Sequence, residues 1–65
     1  MNKRPPLRRG YRIRTYERGK PSMTSPTIWS EDVPLGAWEE AKRNPRAVRV
    51  ELYRSGRKIE RFVRR

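Results

Sequence analysis

The sequence predicts an α+β fold: a small antiparallel sheet of two β-hairpins in the order ββαββ, one short α-helix packed on one face, and a disordered basic N-terminal arm. Three observations predict it. Alternating apolar and polar residues flank Ser55-Gly56 near the end of the chain, and a similar run leads into Arg18-Gly19 near its start. Between them, Leu35, Trp38 and Ala41 recur every three residues in a segment closed by Asn44-Pro45. Sixty-five residues suffice for one domain, which buries only about 60% of its unfolded surface.

Residues 1–10 contain two prolines and almost no apolar content, so they are expected to form a flexible arm carrying Lys3, Arg4, Arg8 and Arg9. The folded domain then covers 11–65. In its first strand Tyr11, Ile13 and Thr15 should point inward and Arg12, Arg14 and Tyr16 outward, because successive strand side chains alternate. Residues 12–20 align without gaps on residues 49–57, sharing an arginine, a β-branched aliphatic, a tyrosine and a turn glycine. Common hairpin requirements account for that likeness without a duplication. The returning strand, 22–29, belongs at an edge or is interrupted, since Pro21 and Pro26 remove ladder donors. Trp29 is expected to anchor the core.

Residues 34–43 read as the helix. Pro34 suits the first helical position, and Glu31 and Asp32 complement the positive end of the helix dipole. Asn44, tolerant of left-handed backbone, followed by Pro45, stops it. Leu35, Trp38 and Ala41 form the buried stripe, while Glu39, Glu40, Lys42 and Arg43 face water. Gly36 weakens the helix by about 1 kcal/mol relative to alanine, so it persists only by packing on the sheet.

In the closing hairpin a two-residue loop at Ser55-Gly56 pairs Leu52 with Ile59, Val50 with Arg61 and Val48 with Val63. Val48, Val50, Leu52, Ile59 and Val63 then share the inner face. Arg49, Glu51, Tyr53, Lys58, Glu60 and Phe62 share the outer one, and Arg61 interrupts the inner set.

Eighteen Lys and Arg against seven Asp and Glu give a net charge of +11. The charge is segregated: residues 1–20 carry +7, residues 21–45 carry −2 and residues 46–65 carry +6. Polyanions are the natural partners of such a chain. Arginine outnumbers lysine fourteen to four, and its planar fork suits phosphate and guanine. The helix covers one sheet face, so the other should hold cations interleaved with rings, the mix that grips phosphates and stacks on bases. The expected binding set is Lys3, Arg4, Arg8, Arg9, Arg12, Arg14, Tyr16, Arg18, Lys20, Arg49, Tyr53, Arg57, Lys58 and Phe62. The rings of Tyr16, Tyr53 and Phe62 serve equally well as cover for the sheet, and Glu51 and Glu60 should pair with basic neighbours and damp the potential.

The residue inventory argues against catalysis. Histidine is absent, and the adjacent carboxylates Glu31-Asp32 and Glu39-Glu40 point in different directions or solvate a helix. Without cysteine or histidine no zinc or copper site is expected, and no cofactor. No apolar run approaches the roughly 18 residues of a membrane span, and the basic start has no apolar stretch of a secretion signal after it, so a cytoplasmic monomer or weak dimer is expected.

The pattern YRIRTYERGKP…TIWS…AWEEAKR is similar to the small sheet-plus-helix DNA-binding modules at the start of some phage integrases, which lay a short sheet in a groove and brace it with one helix. The resemblance covers residues 11–43 and implies DNA binding; a further hairpin after the helix departs from it. The reading is therefore a non-catalytic DNA- or RNA-binding module. Its alternative is a small regulatory or inhibitory protein of phage or mobile-element type that docks on an acidic protein surface.

Overall fold

The computed structural model describes residues 8–64. In chain order the elements are β1 (Arg9–Glu17), β2 (Met23–Thr24), β3 (Ile28–Ser30), α1 (Leu35–Arg43), β4 (Ala47–Arg54) and β5 (Arg57–Val63). The sheet is antiparallel throughout, with β4 between β1 and β5. The other edge of β1 is covered by β3 near its start and by β2 further on. The ββαββ order therefore holds, with the second strand in two pieces. Lys3 and Arg4 lie outside the described residues. β1 begins at Arg9, so Arg9 and Gly10, assigned by composition to the arm, pair with Ser30 and Trp29.

The break in the edge strand falls at Ser25-Pro26-Thr27, as the missing proline donor requires. Ser25 bridges it. Its N–H donates to the Ile13 carbonyl at 2.8 Å, and its hydroxyl accepts the Ile13 N–H at 2.9 Å. Ile13 thus keeps both backbone bonds where no regular strand faces it.

The helix is one residue shorter than expected. Pro34 caps it (φ −75°, ψ 80°) and its carbonyl accepts the Trp38 N–H. Glu31 and Asp32 lie in the bend ahead of the helix, so its first turn holds no acid. Asn44 ends it in extended rather than left-handed backbone (φ −61°, ψ 112°), since the ring of Pro45 drives its predecessor to that region. The buried stripe also shifts. Trp38 is 3% exposed and Ala37 and Ala41 pack against the core, whereas Leu35 faces solvent. Three residues fall about 60° short of a full turn, so Leu35 lies well round the helix from the 37/38/41 seam.

The core is Tyr11, Ile13, Trp38, Ala47, Val50 and Leu52, flanked by Ile28, Val33, Ile59 and Phe62. Tyr11, Ile13 and Thr15 lie on the helix side as their alternation requires. The closing hairpin turns at Ser55 (φ 50°) and Gly56 (φ 81°), two left-handed residues whose twist matches that of the flanking strands. Its first two pairs, Arg54 with Arg57 and Tyr53 with Lys58, keep the expected register.

Beyond them the register shifts by one. A bulge at Ile59 sets Leu52 opposite Glu60, Glu51 opposite Arg61, Val50 opposite Phe62 and Arg49 opposite Val63. Phe62, expected outward, joins the core, and Val63, expected inward, is exposed. Likewise Glu60 moves to the helix side and Arg61 to the open side. An unbroken ladder would set Arg61 against Val50; one extra residue replaces that cation by a ring, and burial favours the exchange. A second irregularity, between Tyr16 and Glu17, sets Glu17 opposite Ala47, which takes the buried place expected of Val48.

Arg64 fastens the end of the hairpin to the helix. Its guanidinium donates to the carbonyls of Lys42 (2.7 Å), Asn44 (3.2 Å) and Ala47 (3.1 Å), at the negative end of the helix dipole. Among the described residues no helix is long and apolar enough to cross a membrane.

Candidate nucleic-acid interface

Strand pairing decides which side chains share the face turned away from α1. The pairs Arg12–Tyr53, Arg14–Glu51 and Tyr16–Arg49 all point there, and Lys58 and Arg61 continue the row on β5. The bulge at Ile59 exchanges Glu60 and Phe62 for Arg61 and Val63, making this face more positive by two charges. It carries Arg12, Arg14, Arg49, Lys58 and Arg61 over a single carboxylate, Glu51.

That carboxylate organises the centre of the face. Glu51 is 2% exposed although it sits on the uncovered side. The phenols of Tyr16 and Tyr53 donate to its Oε1 at 3.0 and 2.8 Å. The Lys58 ammonium donates to Oε2 at 3.2 Å, and Arg49 Nε stands 3.6 Å from the same oxygen. Burial pushes the Glu51 pKa up, but the donors Tyr53, Lys58 and Tyr16 outweigh it and hold the group at about 2. The same bond raises the Tyr53 phenol above its ordinary range. The Arg49 guanidinium carbon stands over the Tyr16 ring, 3.9 Å from its centre, and that of Arg14 over Tyr53 at 5.5 Å. Arg49 Nε is buried without a hydrogen-bond partner, held by charge and stacking alone. The expected pairing of Glu51 with basic neighbours is therefore realised, as a buried hub.

Along the β1 edge the arginines are steadied by threonines. Arg12 Nε donates to Thr27 Oγ1 at 2.9 Å and Arg14 Nε to Thr24 Oγ1 at 3.2 Å. Trp29, expected in the core, is 66% exposed. It pairs with Gly10, which belongs to the open face, while its neighbour Ile28 takes the inward place beside Tyr11. The indole lies across Gly10: a β-carbon there would stand 3.3 Å from the Trp29 ring and 2.9 Å from the Thr27 methyl. Glycine is needed to let the ring down onto the strand.

Six residues of the expected set, Arg12, Arg14, Tyr16, Arg49, Tyr53 and Lys58, share this face. The rest do not. Arg18 and Lys20 lie at the β1–β2 turn, where Lys20 pairs with Glu17 at 3.8 Å. Arg57 starts β5 at the opposite end of the sheet, Arg9 sits on the helix side, and Arg8 precedes β1. Trp29 and Arg61 also belong to the face, although neither is expected there from the sequence. A signal for each was available: a strand glycine asks for a large cross-strand neighbour, and an arginine interrupting an apolar row asks for a bulge.

No family model matches the chain, and no curated protein or solved structure is significantly similar to it, so the likeness to integrase modules rests on strand alternation and the single helix alone.

Proposed function

We propose that this chain is a non-catalytic nucleic-acid-binding module that engages DNA or RNA with the sheet face opposite the helix. The observation that carries this reading is the composition of that face: five cations over one buried carboxylate, with Tyr16, Tyr53 and Trp29 among them. The network on Glu51 holds Arg49 and Lys58 in place before any ligand arrives, so little side-chain freedom is lost on binding. Arginine forks can neutralise phosphates and release their condensed counterions. A monomer or weak dimer acting in the cytoplasm goes with this reading, and the basic residues of the N-terminal segment, Lys3 and Arg4, would add phosphate contacts.

Titration of labelled DNA and RNA across a salt series tests it. If all five face cations meet phosphates, log K falls with log salt at a slope of about −3.5 for a single strand, roughly a hundredfold from about 50 to about 200 mM. Arg12→Glu and Arg14→Glu should each weaken binding about tenfold or more, while Arg43→Glu on the exposed side of the helix should have a smaller effect. Binding that is weak, indifferent to these changes and gone at physiological salt would refute the reading.

One observation favours a second reading, docking on an acidic protein surface. β5 is the last strand of its sheet, so its outer backbone edge is open to strand addition beside Arg57, Lys58 and Arg61. Affinity capture after nuclease treatment separates the two: a stoichiometric protein partner that survives nuclease favours docking.

A further inference from the structure

We infer that the polynucleotide is single-stranded and that one of its bases stacks on Trp29. The inference rests on the nucleic-acid reading above and adds to it the class of strand and the place of the base. A recess of about 480 Å³ opens on the sheet face, lined by Gly10, Arg12, Arg14, Trp29, Tyr53 and the Ser55-Gly56 turn. Its volume lies within the range of small-ligand sites. One end is an indole 66% exposed to water. An aromatic ring of that size left open on a chain so short of apolar residues is a surface that gains from being covered.

The surroundings specify what covers it. The six-membered ring of the indole lies over Gly10, its two nearest atoms 3.3 and 3.4 Å from where a β-carbon would stand, so the strand beneath supports it as a platform. Arg12 and Arg14 line the same recess, each tethered through Nε and so keeping terminal nitrogens for other acceptors. A planar group with an anion attached satisfies ring and guanidinium together, and a nucleotide has both. In a duplex each base already stacks on its neighbours and presents only its edge, whereas a single strand can turn a base face onto an indole. A purely electrostatic contact with a duplex would have no use for the exposed ring.

The chain carries its own reporter. Its two tryptophans differ completely in access: Trp38 is 3% exposed and Trp29 is 66% exposed. Emission quenched by a ligand and lost in Trp29→Ala therefore reports on Trp29. The test uses a short oligothymidylate and a mixed-sequence duplex of equal length, both labelled, at fixed salt, with parent, Trp29→Ala and Trp29→Phe. Circular dichroism verifies that the variants stay folded, as expected for a residue on the outer edge of the sheet. The expected result is quenching of Trp29 by the single strand and a loss of about tenfold or more in single-strand affinity in Trp29→Ala. Trp29→Phe should recover part of it, and duplex affinity should barely change. Equal binding of both probes with no quenching and no effect of Trp29→Ala overturns the inference and leaves the cationic-face reading standing. Failure of both probes to bind overturns the two together.

Discussion

Replacing Glu51 by glutamine keeps the shape of the side chain and removes its charge. The parent carboxyl titrates at about 2 instead of the ordinary 4.5. Burial acts in the opposite direction, so the bonds from Tyr53, Lys58 and Tyr16 more than offset desolvation. A displacement of that size favours the charged form in the folded chain by about 3 kcal/mol relative to the unfolded one. Solvent screens part of it, because the side chains of Lys58 and Arg49 are 45% and 40% exposed, leaving about 2 kcal/mol. Glutamine also turns an acceptor into a donor. Its one oxygen can serve the two phenols or the Lys58 ammonium, and the amide nitrogen then faces donors on the other side. The melting temperature of Glu51→Gln should fall by about 10 °C.

The pH dependence has a definite sign. The folded value of Glu51 lies below the unfolded one, so its stabilisation is complete above about 4.5 and fades as pH falls toward about 2. Urea unfolding followed by circular dichroism, at pH about 7 and about 3, measures it directly. The gap between parent and variant should be about 2 kcal/mol near neutrality and about half that near pH 3. Contributions common to parent and variant cancel in the difference. A gap under about 0.5 kcal/mol at neutral pH, or one that does not narrow on acidification, would refute the role assigned to the hub.

Three further outcomes are expected. Ser55→Asn should raise stability by about 0.5 kcal/mol or more in chemical denaturation, because Ser55 holds φ 50°, where asparagine is at less cost. Arg64→Ala should lower it by about 1–2 kcal/mol, since three carbonyls at the end of α1 and the start of β4 lose their donor. Arg64→Lys should recover only part, lacking the fork that reaches all three. Gly10→Ala should cost about 1 kcal/mol and change Trp29 emission, because the new methyl would come within 2.9 Å of Thr27 Cγ2 and 3.3 Å of the indole.

Much of the fold is legible in local pattern. The strict alternation from Tyr11 to Tyr16 puts three residues on each side of β1, and β4 pairs with it through the same alternation. The Ser55-Gly56 turn, the edge position of the proline-bearing strand and the end of the helix before Pro45 follow likewise from backbone chemistry within a few residues. Part of the open face, Arg12, Arg14, Tyr16, Arg49, Tyr53 and Lys58, inherits that legibility. Its remaining members do not.

Alternation along one strand is a local property with a period of two, and the amino-acid order determines it directly. Where the count slips, as at Ile59, the choice lies between two sets of partners across the sheet: Arg61 or Phe62 against Val50. The same holds for Trp29, whose side depends on which residue of β1 it meets, and for Glu51, whose burial requires two phenols and an ammonium from three strands to converge on one carboxylate. Such preferences arise from contacts between residues far apart in the chain, and only the assembled sheet decides them.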